Sequence, residues 1–94
     1  MNADNYLRFI SECIIKDPDK ESGLRDEEMY GLHLSWCALN GKKPSSDHVF
    51  WSAIKELGHT RNYHHDDGHH LWPGLSMTGP AALDYILSSQ PDLI

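Results

Sequence analysis

The residues best suited to chemistry lie in one short segment, residues 64–70. It holds four histidines and two aspartates around one glycine, in the order His64, His65, Asp66, Asp67, Gly68, His69, His70. An Asp-Gly pair between extended segments is typical of a tight hairpin turn. A two-residue turn at Asp67–Gly68 places His65 opposite His70, with about 5 Å between their Cβ atoms. Asp66 and His69 then form a second cross-strand pair.

Imidazole and carboxylate groups at this spacing can share a zinc or nickel ion. The metal hypothesis names four ligands: His65, His70, Asp66 and His69. It includes adventitious uptake of either metal by the purified protein. The competing interpretation is a solvated polar turn whose imidazoles gain a proton at about pH 6. Metal-dependent hydrolases gather ligands from separate elements around a pocket, so we expect no catalytic residue and no dedicated cofactor here.

Length and charge restrict the function classes. A chain of 94 residues leaves room for one domain, residues 1–94. Its net charge of −6 weighs against strong, non-specific nucleic-acid binding. Residues 41–65 carry four Lys and Arg against two acids, whereas residues 66–94 carry four acids and no Lys or Arg. The middle of the chain is therefore predicted to form the most basic surface.

Other patterns bear on compartment and core. There is no apolar run of bilayer length and no signal segment, which predicts a cytoplasmic protein without membrane contact. Cys13 and Cys37 fall on apolar helical stripes, so we interpret them as buried thiols rather than a disulfide. His33 shares a stripe with Met29, Tyr30 and Trp36 and is predicted to be a hydrogen-bonded core histidine.

Hydrophobic periodicity and capping residues predict a mostly helical α+β domain. Helices are predicted over residues 5–16, 27–39, 46–57 and about 80–90, with strands at 24–25, 60–65 and 69–75. Asp26 is predicted to cap the second helix, Ser45 or Ser46 to cap the third, and Gly58 to end the third. Tyr63 and Trp72 are predicted to pack opposite or nearly opposite each other in the hairpin.

Helical projection predicts which faces are buried. On the third helix the inward side chains are Val49, Phe50, Ala53, Ile54 and Leu57, and the outward ones are His48, Trp51, Ser52 and Lys55. On the last helix the apolar face consists of Leu83, Ile86 and Leu87. Leu93 and Ile94 form an apolar tail, and three fates for it stay open: packing back, meeting a partner, or fraying.

Several residues within this order of elements form a recognisable pattern. It comprises Glu28-Met29-Tyr30, Trp36-Cys37, Asn40-Gly41-Lys42-Lys43-Pro44-Ser45, Phe50, Ile54-Lys55-Glu56-Leu57-Gly58, Arg61, Trp72, Gly74 and Leu75. The pattern resembles the C-terminal winged-helix domain of phage- and plasmid-type primase-helicases, the class that includes the poxvirus-type enzymes. The resemblance covers about residues 5–77. The family often has a tyrosine where this chain has His33, and its wing turn is basic rather than acidic.

The resemblance implies a winged helix-turn-helix with three helices and a β-hairpin wing. The extra C-terminal helix predicted after residue 79 lies outside the family pattern. In such domains the third helix commonly enters the major groove of DNA and the wing touches the backbone. The groove-facing residues would then be His48, Trp51, Ser52 and Lys55. Phosphate contacts would come from Lys42, Lys43, Arg61, His64 and His65.

Two functions follow as alternatives. The first is a DNA-binding accessory domain in phage, plasmid or mobile-element replication, whose binding is weakened by the net acidic charge. The second is a protein-interaction winged helix that makes a homodimer or docks a replication partner through Trp51 or the Leu93–Ile94 tail. Neither is an enzyme, because the sequence has no Gly-rich phosphate loop and no recognisable catalytic acidic triplet.

Overall fold

The computed structural model describes residues 3–17, 23–64 and 68–88. Over these residues the chain forms four helices and five strands. In chain order they are α1 (Ala3–Cys13), β1 (Ile14–Lys16), β2 (Gly23–Arg25), α2 (Asp26–Leu39), α3 (Asp47–Glu56), β3 (Asn62–His64), β4 (His69–Pro73), β5 (Leu75–Met77) and α4 (Gly79–Ser88). The predicted small α+β, mostly helical class is confirmed. No helix among these is long and apolar enough to cross a bilayer.

The strands form two small antiparallel sheets. One has the strand order β2-β4-β3, and the other pairs β1 with β5. β4 and β5 are separated only by Gly74, whose φ of 71° turns the chain from one sheet into the other. The carbonyl of Gly74 accepts a 2.7 Å hydrogen bond from the Asp17 amide, which ties this bend to the end of β1. We call β3 and β4 together the wing.

Helices and wing close over a core rich in aromatic rings. Its largest fully buried side chains include Phe9, Trp36, Phe50 and Trp72. The rings of Phe9 and Phe50 meet edge to face with centroids 5.6 Å apart, a favoured aromatic geometry. Cys13 and Cys37 are buried and are not joined in a disulfide, as predicted.

His33 lies at the centre of this core and is fully buried, as predicted. Its ring stacks on Phe50 with centroids 4.3 Å apart and an interplanar angle of 18°. The Nε2 atom accepts a 3.3 Å hydrogen bond from the Ser45 amide. An acceptor nitrogen requires the neutral ring, and burial lowers the pKa of His33 from 6.5 to about 4.

The start of α2 differs from the prediction. Asp26 is the first helical residue rather than the cap, and Arg25 occupies the cap position. The Glu28 carboxylate accepts a 2.9 Å hydrogen bond from the Arg25 amide, which satisfies a backbone donor at the helix start. The Asp26 carboxylate is thereby free to contact distant parts of the chain.

The hairpin register also differs from the prediction. Tyr63 pairs with His70 and His64 with His69, so four residues, 65–68, connect the strands instead of two. Trp72 lies two residues along β4 from His70, the residue that Tyr63 faces, and across the other edge of β4 Trp72 pairs with Leu24 of β2. Because β4 pairs with both β2 and β3, its position in the sheet sets the register of the hairpin. The connection between β3 and β4 is two residues longer than predicted.

The end of α1 and the buried face of α4 also differ from the predictions. α1 ends at Cys13, and residues 14–16 form β1 against β5 instead of a last helical turn. On α4, Leu83, Ile86 and Leu87 are exposed rather than buried. Ala81 and Ala82 are buried instead, and the Tyr85 ring fills the space where Gly31 of α2 has no Cβ. Close packing of the two helices thus selects the small side chains of α4.

The buried neutral His33 predicts acid-sensitive stability. In the unfolded chain its imidazole gains a proton at about pH 6.5, whereas the folded one resists protonation down to about pH 4. The unfolded state therefore binds more protons in this window, and stability falls as the pH drops through it. His33 alone should remove about 2 kcal/mol of unfolding free energy between pH 7 and pH 5.

Urea unfolding at several pH values tests this. The variant His33→Phe keeps a ring against Phe50 but cannot titrate, so its stability should depend less on pH over this range. The matched variant His48→Phe changes a histidine whose side chain is 90% exposed and should keep the wild-type slope. Equal slopes in wild type and His33→Phe would contradict the assignment.

Candidate nucleic-acid interface

The exposed side of α3 carries three of the predicted groove-facing residues. Phe50 and Ile54 are fully buried, and their spacing fixes the rotation of α3 about its own axis. His48, Ser52 and Lys55 consequently share one outward strip, and all three are exposed. Val49, predicted to point inward, is also on the surface with 55% of its area exposed.

The loop before α3 carries Lys42 and Lys43, both exposed. Ser45 anchors this loop to the core through three contacts. Its hydroxyl lies 2.5 Å from the Tyr6 hydroxyl, its carbonyl accepts from the Tyr30 hydroxyl at 2.7 Å, and its amide donates to His33. The core thus holds both lysines beside the N-terminal end of α3. We call His48, Ser52, Lys55, Lys42 and Lys43 the basic strip.

Trp51 does not occupy the exposed position predicted for it. The indole is half-buried and packs on the edge of the core, with its ring centroid 6.4 Å from that of Tyr30. The Arg61 guanidinium covers its other side, 4.7 Å from the ring centroid, in a cation–π contact. Among the described residues nothing accepts a hydrogen bond from the indole Nε1. Trp51 is therefore a packing residue and offers no exposed stacking platform.

Arg61 is also placed differently from the predicted phosphate contact. Its guanidinium forms a bidentate pair with Asp26, in which Nε donates to Oδ1 at 2.9 Å and Nη2 donates to Oδ2. Only 16% of the Arg61 side chain and 17% of the Asp26 side chain are exposed. This charge is neutralised within the protein, so Arg61 is not placed to contact a phosphate.

The same carboxylate collects further partners. The Trp72 indole donates to Asp26 Oδ1 at 2.8 Å, and Nδ1 of His70 lies 3.6 Å from Oδ2. Alternation along β4 puts His70 and Trp72 on one face, so both reach the same group. We call Asp26, Arg61, Trp72, Trp51 and His70 the Asp26 network. The sequence predicts only a capping role for Asp26, and no local signal in it indicates these partners.

The histidine segment lies partly outside the described residues. His65 and Asp66 fall there, and the side chains of His64 and His69 are likewise not described. The observed register nevertheless contradicts both predicted cross-strand pairs, because Tyr63 faces His70 and His64 faces His69. Within residues 3–17, 23–64 and 68–88 no three His, Cys, Asp or Glu side chains gather as a metal site would require.

Burial disfavours the thiolate form of both cysteines. Burial, with a smaller effect of Glu12, raises the pKa of Cys13 to about 12, and burial also raises the pKa of Cys37, whose Sγ lies 3.7 Å from Nδ1 of His33. The thiolate is the reactive form, so both shifts disfavour nucleophilic attack at neutral pH. They act as small apolar core residues.

Comparison with known proteins adds no relative. No family model matches the chain, and no match was found among curated proteins or solved structures.

The Asp26 network should be a major source of stability. Asp26→Asn leaves the Arg61 guanidinium mostly buried without its counter-charge, which should lower the unfolding free energy by about 2–3 kcal/mol. The matched control is Glu27→Gln in the same helical turn, whose pair with Arg25 is exposed and whose effect should stay within about 0.5 kcal/mol. Urea denaturation measures both, and equal effects would contradict the network's structural role.

Proposed function

We propose that this chain is a nucleic-acid-binding winged-helix domain with no catalytic role of its own. The observation that carries the proposal is the order of elements together with the strand order. Apart from β1, which follows α1, the order is α1, β2, α2, α3 and the two wing strands, and in the three-stranded sheet the last wing strand lies between the other two strands. A winged helix has this layout, with α2 and α3 as its helix-turn-helix.

The basic strip supports the proposal. α3 has ten residues and a length of about 15 Å. An α-helix with its side chains is about 10–12 Å across and the major groove is about 12 Å wide, so α3 can enter it. In this arrangement His48 and Ser52 face base edges, while Lys42, Lys43 and Lys55 contact phosphates. The Ser45 anchor holds the backbone that carries Lys42 and Lys43 at the N-terminal end of α3, and Lys55 lies in the last turn of the same helix, so little backbone order is lost on binding.

The net charge of −6 limits the strength of this binding. The three lysines supply the attraction, whereas the rest of the chain repels a polyanion. If all three contact phosphates, the logarithm of the binding constant should fall with the logarithm of salt at a slope of roughly −2 to −3. The proposed domain is accordingly a weak, salt-sensitive binder that works beside other nucleic-acid contacts.

The resemblance to the C-terminal domain of phage- and plasmid-type primase-helicases supplies the proposed context, replication of a phage, plasmid or other mobile element in the cytoplasm. Residues that carry it have core positions here, since Trp36, Phe50 and Trp72 are fully buried. The resemblance thus concerns the framework of the domain. We propose an accessory module that acts alongside a replication motor, either in a longer chain or as its partner.

Fluorescence anisotropy with labelled duplex and single-stranded DNA tests the proposal. We expect binding at low salt that weakens as salt rises. Lys55→Ala and the double variant Lys42→Ala/Lys43→Ala should each reduce affinity several-fold. The control Arg8→Ala removes the same charge from exposed α1 and should bind like wild type. Absence of binding at low salt, or equal weakening by Arg8→Ala, would overturn the proposal.

A second candidate function is self-association, and one observation favours it. Leu83, Ile86 and Leu87 form an exposed apolar strip on α4, with 60%, 41% and 62% of their areas accessible. Such contiguous strips mark interaction surfaces. We assign a second copy of the chain as the occupant, because the three side chains are uncharged and let two acidic chains meet without juxtaposing like charges.

Sedimentation velocity over a range of concentrations tests this second candidate. The wild type should form a dimer as concentration rises, and Leu87→Glu should stay monomeric because it buries an unpaired carboxylate. Leu7→Glu, at a 51% exposed position on α1, is the control and should dimerise like wild type. A wild type that stays monomeric throughout would exclude a dimer at α4.

A further inference from the structure

A cleft of about 360 Å³ lies at the base of the wing, and no residue of the basic strip lines it. We call it the base cleft. Its walls come from three separate parts of the chain: the end of β1 at Lys16, the turn after α3 at Gly58, His59 and Thr60, and the bend at Gly74. A volume of this size is typical of sites for small organic ligands.

The electrostatics of the base cleft are unlike those of the whole chain. Among the described residues its lining includes Lys16 and His59 but no carboxylate, although the chain carries 14 acids and 8 Lys and Arg. A concave wall lined by one sign of charge concentrates ions of the opposite sign. The described lining therefore favours an anion.

Backbone hydrogen bonds hold the chain segments that line the base cleft. The amides of Gly58 and His59 donate to the last carbonyls of α3, those of Lys55 and Ile54, at 3.0 and 3.3 Å. The Asp17 amide donates to Gly74 and fixes the neighbouring Lys16 beside the bend. Gly58 has a φ of 98°, and the space around its missing Cβ is open for 4 Å, so no side chain fills this side.

We infer that the base cleft binds a phosphate group. The Lys16 ammonium, an imidazole N–H of His59 and the Thr60 hydroxyl supply three donors of the kinds that phosphate oxygens accept. The donors come from two elements, so the oxygens of one tetrahedral anion can be contacted from different sides. This site lies outside the basic strip and does not depend on the proposed function.

A phosphate here can belong to a small phosphorylated molecule or to a nucleic-acid backbone. The chemistry of recognition is the same in both cases, because the donors read only the phosphate oxygens. In the second case the base cleft adds a backbone contact beyond the α3 face.

The primary test is a proton–nitrogen NMR titration of the full chain with inorganic phosphate, compared with sodium chloride at equal ionic strength. We expect saturable shifts at residues 16, 58–60 and 74 with phosphate alone. Lys16→Met should weaken binding about tenfold, whereas Arg8→Met, at an exposed position of α1 outside the cleft, should bind phosphate like wild type. Linear shifts shared with chloride, or unchanged binding by folded Lys16→Met, would overturn the inference.

The titration of His59 gives a second readout. Burial and the nearby Lys16 charge lower the pKa of His59. A bound phosphate dianion favours the imidazolium and should raise this pKa, as followed by the ring proton signals against pH. Lys16→Met should abolish the effect of phosphate on His59, and a pKa indifferent to phosphate would contradict the site.

Duplex DNA binding by the same variants distinguishes the two sources of phosphate. Weaker DNA binding by Lys16→Met than by wild type identifies a backbone contact. Unchanged DNA binding, with phosphate binding lost, identifies a small phosphorylated ligand. If the wild type does not bind DNA while phosphate still saturates its base cleft, the proposed function fails and the phosphate site stands.

Discussion

The carboxylate of Asp26 is the point on which the arrangement of helices and wing depends. It lies in the first turn of α2, where the helix dipole favours negative charge. From there it accepts hydrogen bonds from Arg61, just before β3, and from Trp72 in β4. One side chain thereby connects α2 to the start and to the middle of the wing. Because the Arg61 guanidinium also lies over Trp51, the connection extends to α3.

The internal pairing of Arg61 with Asp26 affects which cations remain on the surface. The pairing of Arg61 with Asp26 removes one cation from the surface of an already acidic chain. The cations left beside α3 are lysines on exposed positions, which interact with phosphates as solvated point charges rather than as bidentate forks. A modest and salt-sensitive interaction is what such a surface can provide, and the proposed accessory role is consistent with that.

A second set of contacts determines how the basic strip is presented. Ser45 is held by Tyr6, Tyr30 and His33, three residues from two helices. The acceptor role of His33 works only for the neutral ring, and its burial against Phe50 keeps the ring neutral at physiological pH. The geometry of the loop before α3 therefore rests on a core residue that never meets the surface.

The sequence by itself determined the features that depend on near neighbours. The ends of α2 and α3 agree with the predictions within one or two residues, because caps, glycine stops and helical periodicity act over a few positions. The burial of Cys13, Cys37 and His33 agrees as well, since each lies on an apolar stripe. The hairpin between β3 and β4 was predictable from its turn residues, although its register was not.

Only the tertiary structure decided features that join distant parts of the chain. Asp26 and Arg61 are 35 positions apart, and no local pattern distinguishes this internal pair from a surface cation available to phosphate. The exposure of Leu83 and Leu87 follows from the fit of Tyr85 over Gly31, where close approach of two helices favours small side chains over large ones. Hydrophobic periodicity in the sequence indicates how apolar a helix face is. Which side chains are buried also depends on how well they fit the neighbouring element, and the neighbour is determined only when the whole chain has folded.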